Sequence, residues 1–536
     1  MEFFSNKTSL VARGYRKLCD LFKQSWSIIR RPIDITNLAL ILSVFTLVAY
    51  NIPLIKMVAS NVSADLNGFI IVTTVFILLI LLNYFLYYLL LYAFRVVGKY
   101  IIAITFIANA VCLYFINSYN TLITMEMMGN VFNTRPEEAG SYLSFSFVLY
   151  VIFLGIIPAV CLVATRVNYR SIWRFLIAIA STIVIVGGLL SINTSNILWI
   201  DRYAPQIGGL AMPFSYTANT IRYLNKQAMM NRKATPLPDA KIESDSRDVV
   251  VVVIGESARS DHFSLYGYTR NTNPYLEQEE NLVALNATSA DTYTTAGVKA
   301  ILDHKPIDEL YEILPNYLHR AGVDVIWRTS NWGEPPLTFD RVYDMKALRE
   351  RYASDSTYDE LLIHNLAEEI EAGDGQKTLV VIHTSTSHGP TYYKKYPYEF
   401  EEYYPVCTEV EMSKADRQEL INAYDNTILY TDYILYSIIE QLRSLPEGTR
   451  SAMIYVSDHG ESLGENNMYM HGLPKDIAPE QSWIPFLVWN SDPHTHVKDI
   501  KSAEQYHVFH SVLSYMGISS PVFDENMNIF YYDDKE

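Results

Sequence analysis

The sequence predicts a membrane domain of five helices followed by an α/β domain built on a central, mostly parallel sheet. Three observations carry this prediction. Five apolar runs, at 35–58, 69–94, 98–118, 145–165 and 174–193, each approach the ~20 residues needed to cross a bilayer core. From Asp248 onward, short β-branched runs alternate with helical ones, the pattern of a layered α/β domain. At 536 residues, 50% of them hydrophobic, the chain is long enough for more than one domain and can bury a sizeable core.

Residues 1–34 carry Lys7, Arg13, Arg16, Lys17, Lys23, Arg30 and Arg31, a basic cytoplasmic segment without the cleavage pattern of a signal peptide. Residues 35–193 form the predicted membrane domain. Arg95 and Lys99 follow the second span, and Arg166, Arg170 and Arg174 follow the fourth, so those loops are expected inside. The loop from Ser60 to Gly68 has no Lys or Arg, and the loop after the third span has only Arg135, so both are expected outside. An odd number of spans then places everything after about residue 194 outside, in the periplasm if the cell has an outer membrane. Residues 194–245 read as a Pro- and Gly-containing connector in which Ser215 to Met230 forms either a helix on the membrane surface or a polar linker helix. Residues 246–536 are the α/β domain, with strands expected at Val250–Ile254, Val323–Trp327, Thr378–Ile382 and Ala452–Val456 and helices at Ile307–Arg320, Tyr358–Glu371 and Lys414–Leu442.

Composition excludes some functions. A formal charge of -16 argues against a nucleic-acid partner, because phosphate contact requires a basic surface. Cys19, Cys112, Cys161 and Cys407 leave one cysteine in the C-terminal half, so no disulfide is expected there. A transporter carries ionisable groups in mid-membrane, and the five apolar runs hold almost none.

Two strands end alike. Val250 to Gly255 leads into Glu256, and Ala452 to Ser457 leads into Asp458-His459, so each delivers potential metal ligands from a strand tip, where open α/β sheets place their chemistry. Carboxylate and imidazole ligands suit Zn²⁺ with a position left for a reacting group; the alternatives are a helix cap at Glu256 and a polar turn at Asp458. Between them, Thr292 to Leu302 sets several threonines before a helix, where backbone N–H groups favour an anion and a metal-bound hydroxyl ionises readily; an ordinary N-cap is the alternative. His388, before Gly389-Pro390, sits on a turn that can aim its ring over the sheet, and His471 follows the Asp458 loop; either can equally be a surface histidine.

These residues resemble the phosphoethanolamine transferases of the alkaline phosphatase and sulfatase superfamily, which include the lipid A modifying enzymes of polymyxin resistance. The resemblance rests on Gly255-Glu256-Ser257-Ala258-Arg259, Asp261-His262, Tyr266-Gly267-Tyr268, Thr295-Ala296, His388-Gly389-Pro390, Ile421-Asn422-Ala423-Tyr424-Asp425-Asn426 and Ser457-Asp458-His459-Gly460-Glu461. It implies that Glu256, Thr295, Asp458 and His459 hold Zn²⁺, with Thr295 as nucleophile and with His388 and His471 facing the transferred phosphate or a second metal ion. It also implies that Asn130, Thr134 and Glu138, spaced to share one helical face, bind the ethanolamine headgroup. The donor is then phosphatidylethanolamine and the acceptor lipid A or another lipopolysaccharide site, in the inner membrane with the catalytic domain in the periplasm. A phosphoglycerol transferase of the lipoteichoic acid synthase type is the alternative enzyme, and a transporter or sensor the alternative class. Two departures stand out: Asp291 and Ile301 replace the disulfide that brackets the family's nucleophile loop, and the lysine expected just after Trp332 is missing.

Overall fold

The computed structural model describes residues 30–133, 140, 142–230, 234–307, 309–373, 375–409 and 412–533. Thr134, Glu138 and the basic stretch before Arg30 lie outside the described residues. The chain divides into one unit of Met1–Asn117, Leu122–Met125 and Tyr142–Ile221, and a second of Ser118–Thr121, Glu126–Ser141 and Arg222–Glu536.

In the first unit, α1 (Ile35–Tyr50) and α2 (Ile52–Ser60) meet at a bend of 63°. Pro53 sits in the first turn of α2, where its missing N–H costs nothing but prevents a straight continuation. Asn51 secures the bend by donating to the carbonyls of Thr46 and Met212, each at 3.1 Å. The next element, α3 (Leu66–Tyr119), runs for 54 residues with one non-helical residue, Arg95. Further along the chain come α4 (Met125–Asn133), which from Glu126 belongs to the second unit, α5 (Phe145–Ala164) and α6 (Ile172–Ile192) of the first unit, and α7 (Phe214–Met230), which passes from the first unit to the second after Ile221. Among the described residues three helices are long and apolar enough to cross a membrane, or four if the bent α1–α2 pair is one span. The sequence leads one to expect five. The difference lies mainly in α3, where the second and third expected spans join into one helical element through Arg95. Only 17% of the most apolar stretch of α3, and 6% of that of α6, is buried within the protein, so these surfaces suit hydrocarbon and not water.

The second unit is organised around an eight-stranded sheet. Its strands are β1 (Arg247–Gly255), β2 (Leu282–Thr288), β3 (Asp324–Thr329), β4 (Val342–Asp344), β5 (Lys377–His383), β6 (Thr449–Ser457), β7 (Trp483–Asn490) and β8 (Ala503–Glu504). They lie in the order β8-β2-β7-β6-β1-β5-β3-β4. The central run from β6 to β4 is parallel, and β7 pairs antiparallel with both β6 and β2. β1 is buried from Asp248 to Gly255, which is why its sequence reads as an unbroken β-branched run and not an alternating one. Helix α8 (Thr294–Leu302) and the long α9 (Arg417–Arg443) follow, the latter capped by Asp416, whose carboxylate accepts from the Gln418 and Glu419 N–H groups. Two expected helices are shorter than anticipated. Pro315 in the first turn fixes a start at Leu314 and not Ile307, and Asn365, in a left-handed conformation, separates a short 3₁₀ turn from a helix over Leu366–Glu371.

Arg328 of β3 is fully buried; it donates to the carbonyls of Leu362 and His364 at 2.8 and 2.9 Å and pairs with Glu369. Arg351, at 3.0 Å, and Arg341, at 3.4 Å, also face Glu369, and these cations hold its carboxyl below the usual range although burial works to raise it. Replacing Glu369 by Gln leaves Arg328 buried without its counter-charge. We expect a loss of about 3–5 kcal/mol, read as a lower unfolding temperature of the full chain in detergent; an unchanged unfolding temperature would show that the pair is dispensable.

Candidate active site

Three parallel strands end together near the middle of the sheet. Gly255 of β1 pairs with Ser457 of β6, and Ile254 pairs with His383, the last residue of β5. Glu256 and Asp458-His459 therefore leave two neighbouring strand tips, with His383 at the third. Glu256, His459 and His471 offer ligand atoms within 4.8 Å of one another, and so do Glu256, His383 and Asp458; all of these residues are buried.

The electrostatics fit a cation. Burial, followed by the charge of Glu256, pushes the Asp458 carboxyl well above the usual carboxylate range. Burial also works to raise Glu256, but the imidazoles of His459, His388 and His471 and the Ser257 hydroxyl hold it below that range. Asp458 Oδ2 and His383 Nε2 are buried without a hydrogen bond. Two adjacent buried carboxylates with unsatisfied oxygen and nitrogen donors form a set suited to a divalent metal of intermediate softness.

Around these donors stands a second layer. Asn331 donates to Glu256 Oε2 at 2.6 Å and to the Thr384 carbonyl at 2.8 Å. His383 Nδ1 faces Glu334 Oε1 at 3.2 Å, and Thr329 donates to that carboxylate at 2.5 Å, so the far side of the ring is fixed and Nε2 turns toward the site. His471 Nδ1 lies 3.4 Å from Glu461 Oε1, its Nε2 lies 3.2 Å from Asn130 Nδ2, and its ring centre is 4.3 Å from that of His459 and 5.6 Å from that of His388. Burial raises Glu461 to about 7 against the pull of His459 and His388.

The hydroxyl that meets this cluster belongs to Thr294. Its Oγ1 lies 3.4 Å from Glu256 Oε2 and 3.3 Å from His459 Nε2, and Thr294 is the first residue of α8. Thr295, the expected nucleophile, follows it; a Cβ added at Gly333 would lie 3.2 Å from the Thr295 methyl group and 3.5 Å from that of Thr294, so both threonines border the same loop. Positions three apart share a face, and Gly297 is where α8 meets the Asp458 backbone: a Cβ there would sit 2.2 Å from the Asp458 carbonyl oxygen. Thr294 and Gly297 thus lie on one face of α8, against the Asp458 backbone.

No disulfide holds this loop among the described residues, where Cys112, Cys161 and Cys407 are free. Hydrogen bonds hold it instead. Thr292 donates to the Leu473 carbonyl at 2.8 Å and accepts from Gly472 N–H at 2.9 Å, tying the loop to the segment that carries His471. Gln505 accepts from Ala290 N–H at 2.8 Å and donates to the carbonyls of Ser457 and Asp458 at 2.9 and 2.8 Å. Lys226 of α7 donates to the Tyr293 hydroxyl beside Thr294.

Of the residues singled out from the sequence, Glu256, Asp458, His459, His471 and Asn130 come together here, and His388 packs against His471. Sequence reasoning missed Thr294 in particular, His383, Glu461 and the supporting Asn331 and Glu334. His383 had a signal, since it ends an apolar strand as Glu256 and Asp458 follow one; Asn331 and Glu334 sit in a loop without regular pattern and had none.

Comparison with known proteins identifies the family. A family model described as phosphoethanolamine transferase EptA/EptB matches residues 78–228, and a sulfatase model matches residues 248–518. The phosphoethanolamine transferase EptA of Helicobacter pylori is 37% identical over 417 residues, covering 76% of this chain and 79% of that protein. The chain belongs to the phosphoethanolamine transferase family. The phosphatidylethanolamine transferase Mcr-2 of Escherichia coli is 31% identical, covering 75% of this chain and 80% of its own length. The solved structure of the integral membrane lipooligosaccharide phosphoethanolamine transferase A of Neisseria meningitidis superposes with a TM-score of 0.83 at 25% identity, covering 93% of this chain and 99% of that one. This family member is accordingly an integral membrane enzyme that joins a membrane domain to a sulfatase-like catalytic domain.

The packing of α8 makes a direct prediction. Gly297→Ala forces a methyl group against Asp458 and is expected to cost about 1–3 kcal/mol, lowering the unfolding temperature, together with most of the transferase activity. Gly188→Ala in α6, where a Cβ meets nothing within 4 Å, serves as the neutral control. Equal stability and activity in both variants would contradict the close approach.

Proposed function

We propose that this protein transfers phosphoethanolamine from phosphatidylethanolamine to lipid A or another lipopolysaccharide site, through a phospho-threonine formed on Thr294. The observation that carries the reading is the Thr294 hydroxyl, set at a helix start 3.3 Å from His459 and 3.4 Å from Glu256 at the tips of neighbouring strands. We assign Zn²⁺ as the metal, with Glu256, Asp458, His459 and Thr294 as its ligands and His383 and His471 close by. When bound there, the ion supplies Lewis-acid charge that favours the threonine alkoxide and offsets charge developing on the phosphoryl oxygens.

The chain's own residues account for the remaining steps. Thr294 Oγ forms a bond to phosphorus as the bond from phosphorus to the diacylglycerol oxygen breaks, and the departing oxygen takes a proton. His471 is placed to handle that proton, because Glu461 fixes one ring nitrogen and the other faces Asn130. His388, beside His471, is the second candidate. An acceptor phosphate or hydroxyl then attacks the phospho-threonine, the threonine oxygen leaves and the side chain is restored. Asn130, at the His471 ring, supports a headgroup site on α4, to which we add Thr134 and Glu138 on their helical spacing.

The same reading gives five membrane passes. The α1–α2 pair makes the first; at 1.5 Å per residue α3 measures about 80 Å, more than twice the ~30 Å hydrocarbon thickness, and divides at Arg95 into the second and third; α5 and α6 complete the set. With the basic loops at Arg95–Lys99 and Arg166–Arg174 inside, the catalytic domain lies in the periplasm and the membrane is the inner one. The domains on this account are a cytoplasmic segment at 1–34, a membrane domain at 35–193, a connector at 194–245 and a catalytic domain at 246–536. A membrane domain is in keeping with a donor and an acceptor that are both lipids.

Expression of the wild type, Thr294→Ala and Thr295→Ala in a Gram-negative host, with mass spectrometry of lipid A and core sugars, tests the reading. Wild type and Thr295→Ala should add phosphoethanolamine, and Thr294→Ala should lose at least about a hundredfold, in keeping with removal of an activated nucleophile. Loss in Thr295→Ala with retention in Thr294→Ala would return the nucleophile to Thr295, and addition by both variants would refute a threonine nucleophile altogether. A chelator should abolish cleavage of phosphatidylethanolamine by the purified protein; full activity in its presence would refute the metal.

A further inference from the structure

The Ile421-Asn422-Ala423-Tyr424-Asp425-Asn426 stretch lies on α9, and two of its side chains, Tyr424 and Asp425, reach the loop that follows Glu256. We propose that Tyr424 is a positioning residue that fixes Glu256 for metal binding by closing the turn immediately after it. The proposal rests on the reading of Glu256 as a metal ligand.

Ser257 has φ +53, a left-handed conformation that residues with a Cβ rarely adopt. That turn directs Ser257 N–H to Asp458 Oδ1 at 3.0 Å and Ser257 Oγ to Glu256 Oε1 at 2.7 Å. One residue thereby holds both carboxylates, and it does so only while the turn persists. The Tyr424 hydroxyl donates to the Ser257 carbonyl at 2.7 Å and accepts from Arg259 N–H at 2.9 Å, so a single phenol bridges the two ends of the turn. Ala258 N–H, between them, donates to Ser457 Oγ at 2.9 Å. Ser257 and Tyr424 are fully buried, so water does not stand in for the phenol. Burial also keeps the phenol protonated by raising it well above its ordinary value, as its dual role of donor and acceptor requires.

The next residue extends the clamp. Asp425 accepts from the Tyr268 hydroxyl at 2.9 Å and from Arg270 at 2.7 Å and faces His262 Nδ1 at 2.6 Å, while the His262 ring packs edge-on against Tyr424 with centres 5.1 Å apart. Tyr424 and Asp425 therefore tie the loop from Ser257 to Arg270 onto α9, a rigid element of 27 residues. The tyrosine acts on the ligand itself and the aspartate on the chain behind it.

α9 contains its own control. Tyr430 is equally buried, and its hydroxyl accepts from Glu360 N–H at 3.0 Å, in a contact that involves none of the ligands. The test titrates the purified full chain with Zn²⁺ against a competing chelator, for the wild type, Tyr424→Phe and Tyr430→Phe. We expect Tyr424→Phe to lose about 10–100-fold in Zn²⁺ affinity, the range found when an outer partner of a ligand is removed, and Tyr430→Phe to bind as the wild type does. Unchanged affinity in Tyr424→Phe, or an equal loss in Tyr430→Phe, would overturn the proposal and leave the metal reading intact. A wild type that binds no Zn²⁺ would overturn the metal reading and the proposal with it. If Tyr424→Phe does not fold, Asp425→Asn keeps the shape and weakens the neighbouring anchor; a smaller loss in the same direction is expected, and unchanged affinity counts against the clamp.

Discussion

Two carboxylates buried side by side at adjacent strand tips are the constraint on which the rest of this catalytic domain depends. Parallel pairing of β1 with β6 puts Gly255 opposite Ser457, so Glu256 and Asp458 must emerge together. Like charges in a dry site repel, and burial alone would protonate them. The structure meets this with imidazoles on the Glu256 side, where His459, His388 and His471 outweigh burial, and leaves Asp458 raised with a bare oxygen. A divalent cation held there would satisfy both at once, and the Thr294 hydroxyl lies 3.4 Å from Glu256 Oε2.

The supports of this arrangement are non-covalent. The loop before α8 is tied to the His471 segment through Thr292 and to the Asp458 backbone through Gln505, so the start of α8, His471 and Asp458 share one set of hydrogen bonds. Glu334 orients His383 and Asn331 orients Glu256 from a single loop after β3, so the stretch that lacks the family's lysine still serves the site. Position at the site is set by buried polar contacts whose partners come from several elements, and each depends on the others being in place.

The parts of this structure that were legible in the sequence were those set by local pattern. Val250 to Ile254 and Ala452 to Val456 read as buried strands because β-branched and apolar residues fill them on both faces, and the geometry of open sheets directs attention to the residues that follow them. The antiparallel β7 was not legible: Trp483 to Asn490 contains Pro485, and only pairing with β2 and β6 makes it a strand. Thr294 and Thr295 are neighbours with the same chemistry, and what favours Thr294 is the distance of its hydroxyl from Glu256 and His459, which no sequence pattern encodes. His383 lay in plain view at the end of a strand, but its role depends on the register of β5 against β1. In the membrane domain the apolar runs fixed the helices, whereas the continuation of α3 through Arg95 belongs to backbone geometry that composition does not encode.

The central claim is that Thr294 carries the transferred group. The most direct measurement is peptide mapping by mass spectrometry of the full-length protein, incubated with phosphatidylethanolamine without acceptor and quenched in acid. The account predicts phosphoethanolamine on Thr294 in the wild type and none after metal is removed; modification of Thr295, of another residue, or of none would contradict it.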